Sequence, residues 1–257
     1  AVAARTDLLA KIGTRHFADP FLICARVHCQ VYLGAGKEHP RTTAAVKATK
    51  GQVLVRKDGS LVTTVYSAMC GGHTENNDAV WPVEADPNLR GHLDGNDRSL
   101  ARYRRGIDDK NIEAWLSSRP TSWCSRSSYN KDKYRWTTRI ARARVDQLVR
   151  GLGVGRVRAL RIKQRGRSGR ANLIAVQGTR ATREVRGEYR IRQLFGGLRS
   201  AMFVVRQKGD AFVFTGGGWG HGVGMCQTGA TGMAQAGKTF RAILGHYYPG
   251  SELQALY

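Results

Sequence analysis

A chain of 257 residues with 41% hydrophobic content is long and apolar enough to bury one sizeable core, or a core with a smaller module, which excludes a disordered or fibrous protein. No apolar run approaches the roughly 18 to 20 residues that cross a bilayer, and the opening AVAARTDLLAKIGTRH is too mixed for a signal peptide. The formal charge of +23 is uneven: 29 basic side chains stand against 8 acidic ones over residues 98–210, and 13 against 11 elsewhere. A segment that basic suits a polyanionic neighbour such as nucleic acid, an anionic membrane or an acidic wall polymer, and equally a solvated basic face.

In chain order, Val2, Leu8, Leu9 and Ile12 stand at helix-compatible positions with no N-cap before them, so residues 1–16 read as a helix already under way, with chain expected upstream of Ala1. Residues 21–33 form an apolar stretch of loop and strand. QVLVRKDGSLVTTVYSA then gives two β-branched runs joined by Lys57-Asp58-Gly59-Ser60, which predicts a β-hairpin. Residues 71–97, rich in Gly, Asn, Asp and Pro, have no sustained period and predict a long loop, the kind of segment that often carries function.

Within 98–210 the pattern predicts a helix near 145–152, strands at 156–164, 171–177 and 184–189, a short helix at 191–195 and a strand at 202–207. The turn Gly166-Arg167-Ser168-Gly169 separates the first two strands. Because the charge falls back on both sides, this basic α+β segment reads as an insertion. A strand at 211–215 leads into a run of alternating glycines, Gly216 to Gly224, and a helix over 230–247, interrupted near Gly237, ends before Pro249-Gly250. The fold class expected is mixed α+β.

Three clusters carry chemistry. His16, Cys24, His28 and Cys29 place two imidazoles and two thiols within fourteen residues, a donor set that zinc takes up as a closed structural site. Their spacing is not that of a zinc finger, and adjacent His28 and Cys29 both ligate only if the backbone turns sharply; a Cys24–Cys29 disulfide or plain buried thiols are the alternatives. The five cysteines Cys24, Cys29, Cys70, Cys124 and Cys226 suit one metal site plus at most one disulfide. A second cluster is Cys70-Gly71-Gly72-His73-Thr74-Glu75, where paired glycines permit close backbone approach, or simply a capped turn. The third is Gly218-Trp219-Gly220-His221-Gly222-Val223-Gly224, followed by Gln227, in which Trp219 is a platform for stacking a sugar or a packed side chain. GMAQAGKT at 232–239 matches the phosphate-loop pattern in letters only, because its middle reads as helix interior.

AVAART at the start, HCQVY at 28–32, CGGHTENN at 70–77, GWGHGVGMCQTGA at 218–230 and HYYPG at 246–250 together resemble the SpoIID family, in the family's order and along the whole chain. The resemblance implies a mixed core, here 1–97 with 211–257, carrying the basic segment 98–210 as a wing-like insertion. It implies an extracytoplasmic bacterial lytic transglycosylase that cleaves peptidoglycan glycan strands, particularly strands stripped of stem peptides, or a non-catalytic enhancer that helps another wall hydrolase, an amidase. The family's general acid is a Glu shortly upstream of AVAART, so it would precede Ala1. The family's structural Zn2+ would be held by His16, Cys24, His28 and Cys29. Gly71, Gly72, His73, Thr74 and Glu75 on one side, with Trp219, Gly220, His221, Gly222 and Gln227 on the other, would line the substrate groove, Glu75 positioning rather than protonating. Asp7, Cys226 and Thr228 depart from the family's usual residues. A nucleic-acid role would rest on the basic segment and its aromatics, which thin out after residue 141. A disulfide between Cys70 and Cys226 is left open.

Overall fold

The computed structural model describes every residue except Val27 and Asn130, and the side chain of Lys131. Val27 falls inside the apolar stretch 21–33, so that part of the expectation lies outside the described residues. The chain is mixed α+β and divides into two compact units, Ala1–Val65 with Leu244–Tyr257, and Tyr66–Ile243. This division differs from the expected one at 97 and 210. No described helix is long and apolar enough to cross a membrane.

The first unit is built on helix Val2–Lys11 and strand Gln52–Val55. The helix ends earlier than the expected residue 16, with Ile12 already extended. Thr6 donates its hydroxyl to the carbonyl of Val2 and accepts the backbone N–H of Leu54, so this buried hydroxyl ties helix to strand. Asp7, also buried, pairs with Lys11 at 2.5 Å one turn on. The expected hairpin is only partly realised. Its turn closes through Arg56 N–H to Ser60 O at 2.7 Å and Val62 N–H to Leu54 O at 3.0 Å. Beyond the bridge Val55–Leu61 the second run leaves, and Gln52–Val55 pairs instead with Glu252–Ala255, antiparallel. The polar, charged run ELQA gave little strand signal; it forms because the edge of Gln52–Val55 offers it hydrogen bonds.

The second unit holds two three-stranded antiparallel sheets. In one, Ala211–Gly217 runs between Arg135–Ala141 and Phe203–Gln207. In the other, Ala171–Gly178 runs between Val157–Arg165 and Thr182–Arg186. Both sheets and the helices Arg142–Leu148 and Glu188–Leu194 contribute to one core, which includes Val145, Ile174, Val176, Ile191, Phe195, Phe203, Phe212 and Phe214. The strand assigned by sequence to the core of the family is therefore the middle strand of a sheet whose other members lie in the basic segment. A smaller cluster around Leu100, Tyr103, Ile107, Trp115 and Met202 adjoins the loop that follows residue 71. The expected C-terminal helix is two helices, Gln227–Gln235 and Phe240–Tyr247, broken where Gly237 takes φ +76°. The GKT of the phosphate-loop pattern lies at that break, after a helix rather than after a strand, which excludes the phosphate-loop reading.

Candidate glycan-binding face and metal centre

The second unit brings the two glycine-rich motifs side by side. Tyr66–Ser67 pairs in parallel with Met225–Cys226. Met69 and Trp219 then exchange both backbone hydrogen bonds, Met69 N–H to Trp219 O at 3.0 Å and Trp219 N–H to Met69 O at 2.8 Å, and Glu75 N–H reaches Gly222 O at 2.9 Å. The approach needs glycine. Gly71 and Gly218 have φ +77° and +76°, and a β-carbon on Gly218 would lie 2.7 Å from Met69 O and 2.9 Å from Gly71 N.

The expected groove residues separate by exposure. Gly71, Gly72, His73, Thr74, Glu75 and Gly222 are buried; Gly220 and His221 are partly exposed, and Trp219 and Gln227 face solvent. The first motif thus backs the face that the second presents. Lys133 Nζ lies 4.5 Å and Arg199 Cζ 5.6 Å from the centre of the Trp219 ring, so two cations attend the one exposed aromatic of the motif. His221 packs its ring on Trp81 at 5.0 Å. Its Nδ1 accepts the backbone N–H of Val223 and its Nε2 stands 3.1 Å from the carbonyl of Tyr66, so the proton sits on Nε2 and the imidazole is neutral.

Glu75 is 1% exposed. Its Oε2 accepts the Ser168 hydroxyl at 2.6 Å and the Ser168 N–H at 3.1 Å, and Oε1 accepts the N–H of Asn76 at 2.8 Å. The turn foreseen at 166–169 is what delivers Ser168, closed by Gly169 N–H to Gly166 O at 3.0 Å. Burial pushes the carboxyl above its ordinary value, against the pull of Ser168 and of the nearby Arg170. Arg170 itself is buried, donating to Ser168 Oγ at 2.8 Å, Cys70 O at 3.1 Å and Gly220 O at 3.3 Å, and so clasps both motifs. Sequence reading missed it: one arginine among many in a basic segment carries no signal of burial. His73 is fully enclosed, donates Nδ1–H to Thr74 O at 2.7 Å, and is held down at about 3 by burial.

In the first unit, His16, Cys24, His28 and Cys29 bring their donor atoms within 4.8 Å of one another. His16 Nε2 is 3.1 Å from Cys29 Sγ and 3.2 Å from His28 Nδ1; His28 Nδ1 is 3.5 Å from Cys29 Sγ and 3.8 Å from Cys24 Sγ. Zinc bonds of about 2.0–2.1 Å to nitrogen and about 2.3 Å to sulfur give tetrahedral edges of roughly 3.3 to 3.8 Å, within a few tenths of an ångström of these separations, so the cluster could hold a metal ion of this kind. Beside the adjacent ligands Cys29 N–H bonds to Arg26 O at 3.1 Å, and at the other end of the cluster His16 takes φ +61°. His16 Nδ1 meets Asp19 at 2.7 Å, the outer carboxylate that orients metal-binding histidines. Lys11 donates to the Cys29 carbonyl at 2.6 Å and anchors the loop on the first helix. All five cysteines are free, so neither a Cys24–Cys29 nor a Cys70–Cys226 disulfide forms.

Comparison with known proteins gives two family matches. The family described as stage II sporulation protein, SpoIID, matches residues 1–55, and the family described as domain of unknown function DUF8618 matches residues 75–224. Among curated relatives, the chain is 28% identical to the amidase enhancer of Bacillus subtilis over 277 aligned residues, 98% of this chain and 37% of that protein. It is 29% identical to an uncharacterized protein of Brachyspira hyodysenteriae over 254 residues, 98% of this chain and 59% of that one. It is 47% identical to stage II sporulation protein D of Bacillus subtilis over 57 residues, 22% of this chain and 17% of that protein. The chain thus spans less than two thirds of the length of each of these relatives. The chain belongs to the family described as domain of unknown function DUF8618, whose model covers more than half of it, and its first 55 residues are similar to SpoIID.

Proposed function

We propose that this chain binds peptidoglycan glycan strands on the face of Trp219, His221 and Gln227, and that the complete protein cleaves them as an extracytoplasmic lytic transglycosylase. The observation that carries the reading is the pairing of residues 69–75 with 219–223, which sets one motif of the SpoIID resemblance behind the face on which the other presents an exposed tryptophan. Strands stripped of stem peptides expose a lactyl carboxylate on each MurNAc. A sugar on Trp219 would set that anion near Lys133 and Arg199, and the basic segment would attract the polyanion over longer range.

Cleavage to a 1,6-anhydro end needs one carboxylic acid. It protonates the glycosidic oxygen as the C1–O bond breaks; the same group, now a base, takes the proton of the MurNAc 6-hydroxyl as that oxygen bonds to C1. A single carboxylate serves both roles, unlike the pair that hydrolases use. Glu75 is sealed behind Ser168 and Asn76, which fits a role in ordering the loop. The acid is assigned, by family resemblance, to a Glu preceding Ala1 in the complete protein. Neutral His221, with both ring nitrogens engaged, holds Tyr66 and Val223 in place rather than moving protons. A zinc ion held by His16, Cys24, His28 and Cys29 would brace residues 16–29 and take no part in bond breaking.

The test is to incubate the complete protein with peptide-free glycan strands and analyse the products by mass spectrometry. Shorter strands with 1,6-anhydro-MurNAc ends are expected; intact strands, or ordinary reducing ends, overturn the activity. A second reading, wall binding that stimulates an amidase, is favoured by the amidase enhancer to which 98% of the chain aligns. It predicts no cleavage by the protein alone, but faster release of stem peptides when a wall amidase is added.

A further inference from the structure

A second cluster of donors lies in the other compact unit, far apart in sequence. Cys70 follows the strand Tyr66–Ser67, Asp94 lies in the loop beyond it, Cys124 is in helix Trp123–Arg126, and Cys226 caps helix Gln227–Gln235. All four are 0% exposed, and one donor atom from each lies within 4.8 Å of the other three. Cys70 Sγ is 3.7 Å from Cys124 Sγ and 3.1 Å from Asp94 Oδ2.

We infer that Cys70, Asp94, Cys124 and Cys226 form a closed structural site for a thiophilic divalent cation, zinc, distinct from the site at His16 to Cys29. The inference stands on this donor set and not on the function proposed above.

Four observations support it. The Cys70–Cys124 separation of 3.7 Å is the one a tetrahedron asks for, since zinc–sulfur bonds of about 2.3 Å give a sulfur–sulfur edge near 3.8 Å. The sulfurs also have the outer shell that thiolate ligands need. Cys226 Sγ accepts the N–H of Cys70 at 3.1 Å and of Gly229 at 3.2 Å, Cys70 Sγ accepts the N–H of Gly72 at 3.4 Å, and Ser122 Oγ lies 3.4 Å from Cys124 Sγ. Positive charge lies beside it as well. Three thiolates and a carboxylate around a dication leave two negative charges, and Arg170 and Arg135 bind the carbonyls of Cys70 and Gly71 at 3.1 and 3.0 Å. Finally, the thiols number three. One disulfide would strand the third beside a buried carboxylate, whereas three thiols and a carboxylate complete a four-ligand shell.

The site would fasten four segments at the point where the two glycine motifs meet, since Cys70 precedes Gly71-Gly72 and Cys226 ends the motif that begins at Gly218. It would therefore rigidify the backing of the Trp219 face without touching a ligand bound there.

Native mass spectrometry of the whole chain, purified with zinc present, reads the stoichiometry directly. Two zinc ions per chain are expected. No zinc, a single zinc that the Cys124→Ser variant still holds, or a protein lighter by two hydrogens whose mass is restored by reductant with Cys70, Cys124 or Cys226 in the bond, overturns the site. A second measurement spares the cluster itself. The variant Cys24→Ala/Cys29→Ala, which lacks every thiolate of the first site, should still take up one cobalt(II) with a thiolate-to-metal charge-transfer band. Replacing Cys124 by Ser in that background should weaken the band and the binding of cobalt. A cobalt-loaded variant showing no such band, or none bound, contradicts the assignment.

Discussion

The Ser168 hydroxyl donates to the Glu75 carboxylate at 2.6 Å inside the protein, 93 residues away along the chain. A residue from the turn of a basic β-hairpin thus closes over the only carboxylate of the CGGHTENN motif, and Arg170, two residues on, reaches from Ser168 to the carbonyls of Cys70 and Gly220.

This contact predicts that Ser168→Ala costs about 1–3 kcal/mol, the usual penalty for leaving a buried acceptor short of a donor. Urea unfolding measures it. Glu75→Gln should lose stability similarly while the folded protein still cleaves glycan. A Glu75→Gln protein that folds, binds glycan and has no residual activity would instead make Glu75 the acid.

Gly218→Ala should be more damaging than an ordinary glycine replacement. The left-handed conformation alone costs an alanine roughly 1 kcal/mol or more, and the new β-carbon would meet Met69 O at 2.7 Å. A loss above about 2 kcal/mol in denaturant unfolding is expected. Gly197→Ala, at φ +84° but with open space around it, is the control that shows the conformational cost alone. Equal losses for the two would contradict the close approach.

How much was legible follows from where the information lies. The basic β-strands were visible because their apolar residues alternate locally, and the turn at 166–169 because glycine punctuates it. Strand Arg135–Ala141 escaped because arginines and threonines interrupt its apolar positions; it exists because Ala211–Gly217 gives it a full ladder. The His16 to Cys29 cluster was readable, being local. Cys70, Asp94, Cys124 and Cys226 share no spacing, and only folding joins them. Sequence could not tell that residues 71–75 of the motifs are buried while Trp219 and Gln227 face solvent.

His73 supplies a pH prediction. Its imidazole is neutral when folded, with its value lowered from 6.5 to about 3 by burial, whereas the unfolded chain takes up a proton below about 6.5. Its contribution is fully present above that pH and is lost as pH falls toward 3, by up to about 1.4 kcal/mol per pH unit. Glu75, whose carboxyl is raised, acts in the opposite sense, its contribution falling as pH rises through the folded value. Urea midpoints at pH 7 and pH 5 should therefore differ more for the wild type than for His73→Gln. Parallel shifts in the two proteins would contradict a buried neutral imidazole.

The claim that the Trp219 face holds the glycan is tested most directly by titrating peptide-free glycan strands into the chain and into its Trp219→Ala variant, following binding by sedimentation. Removing an exposed aromatic anchor from a binding face costs about 1–2 kcal/mol, so the variant should bind roughly 5 to 30 times more weakly, with its unfolding midpoint unchanged. Equal affinity of the two proteins for the strands would contradict the account.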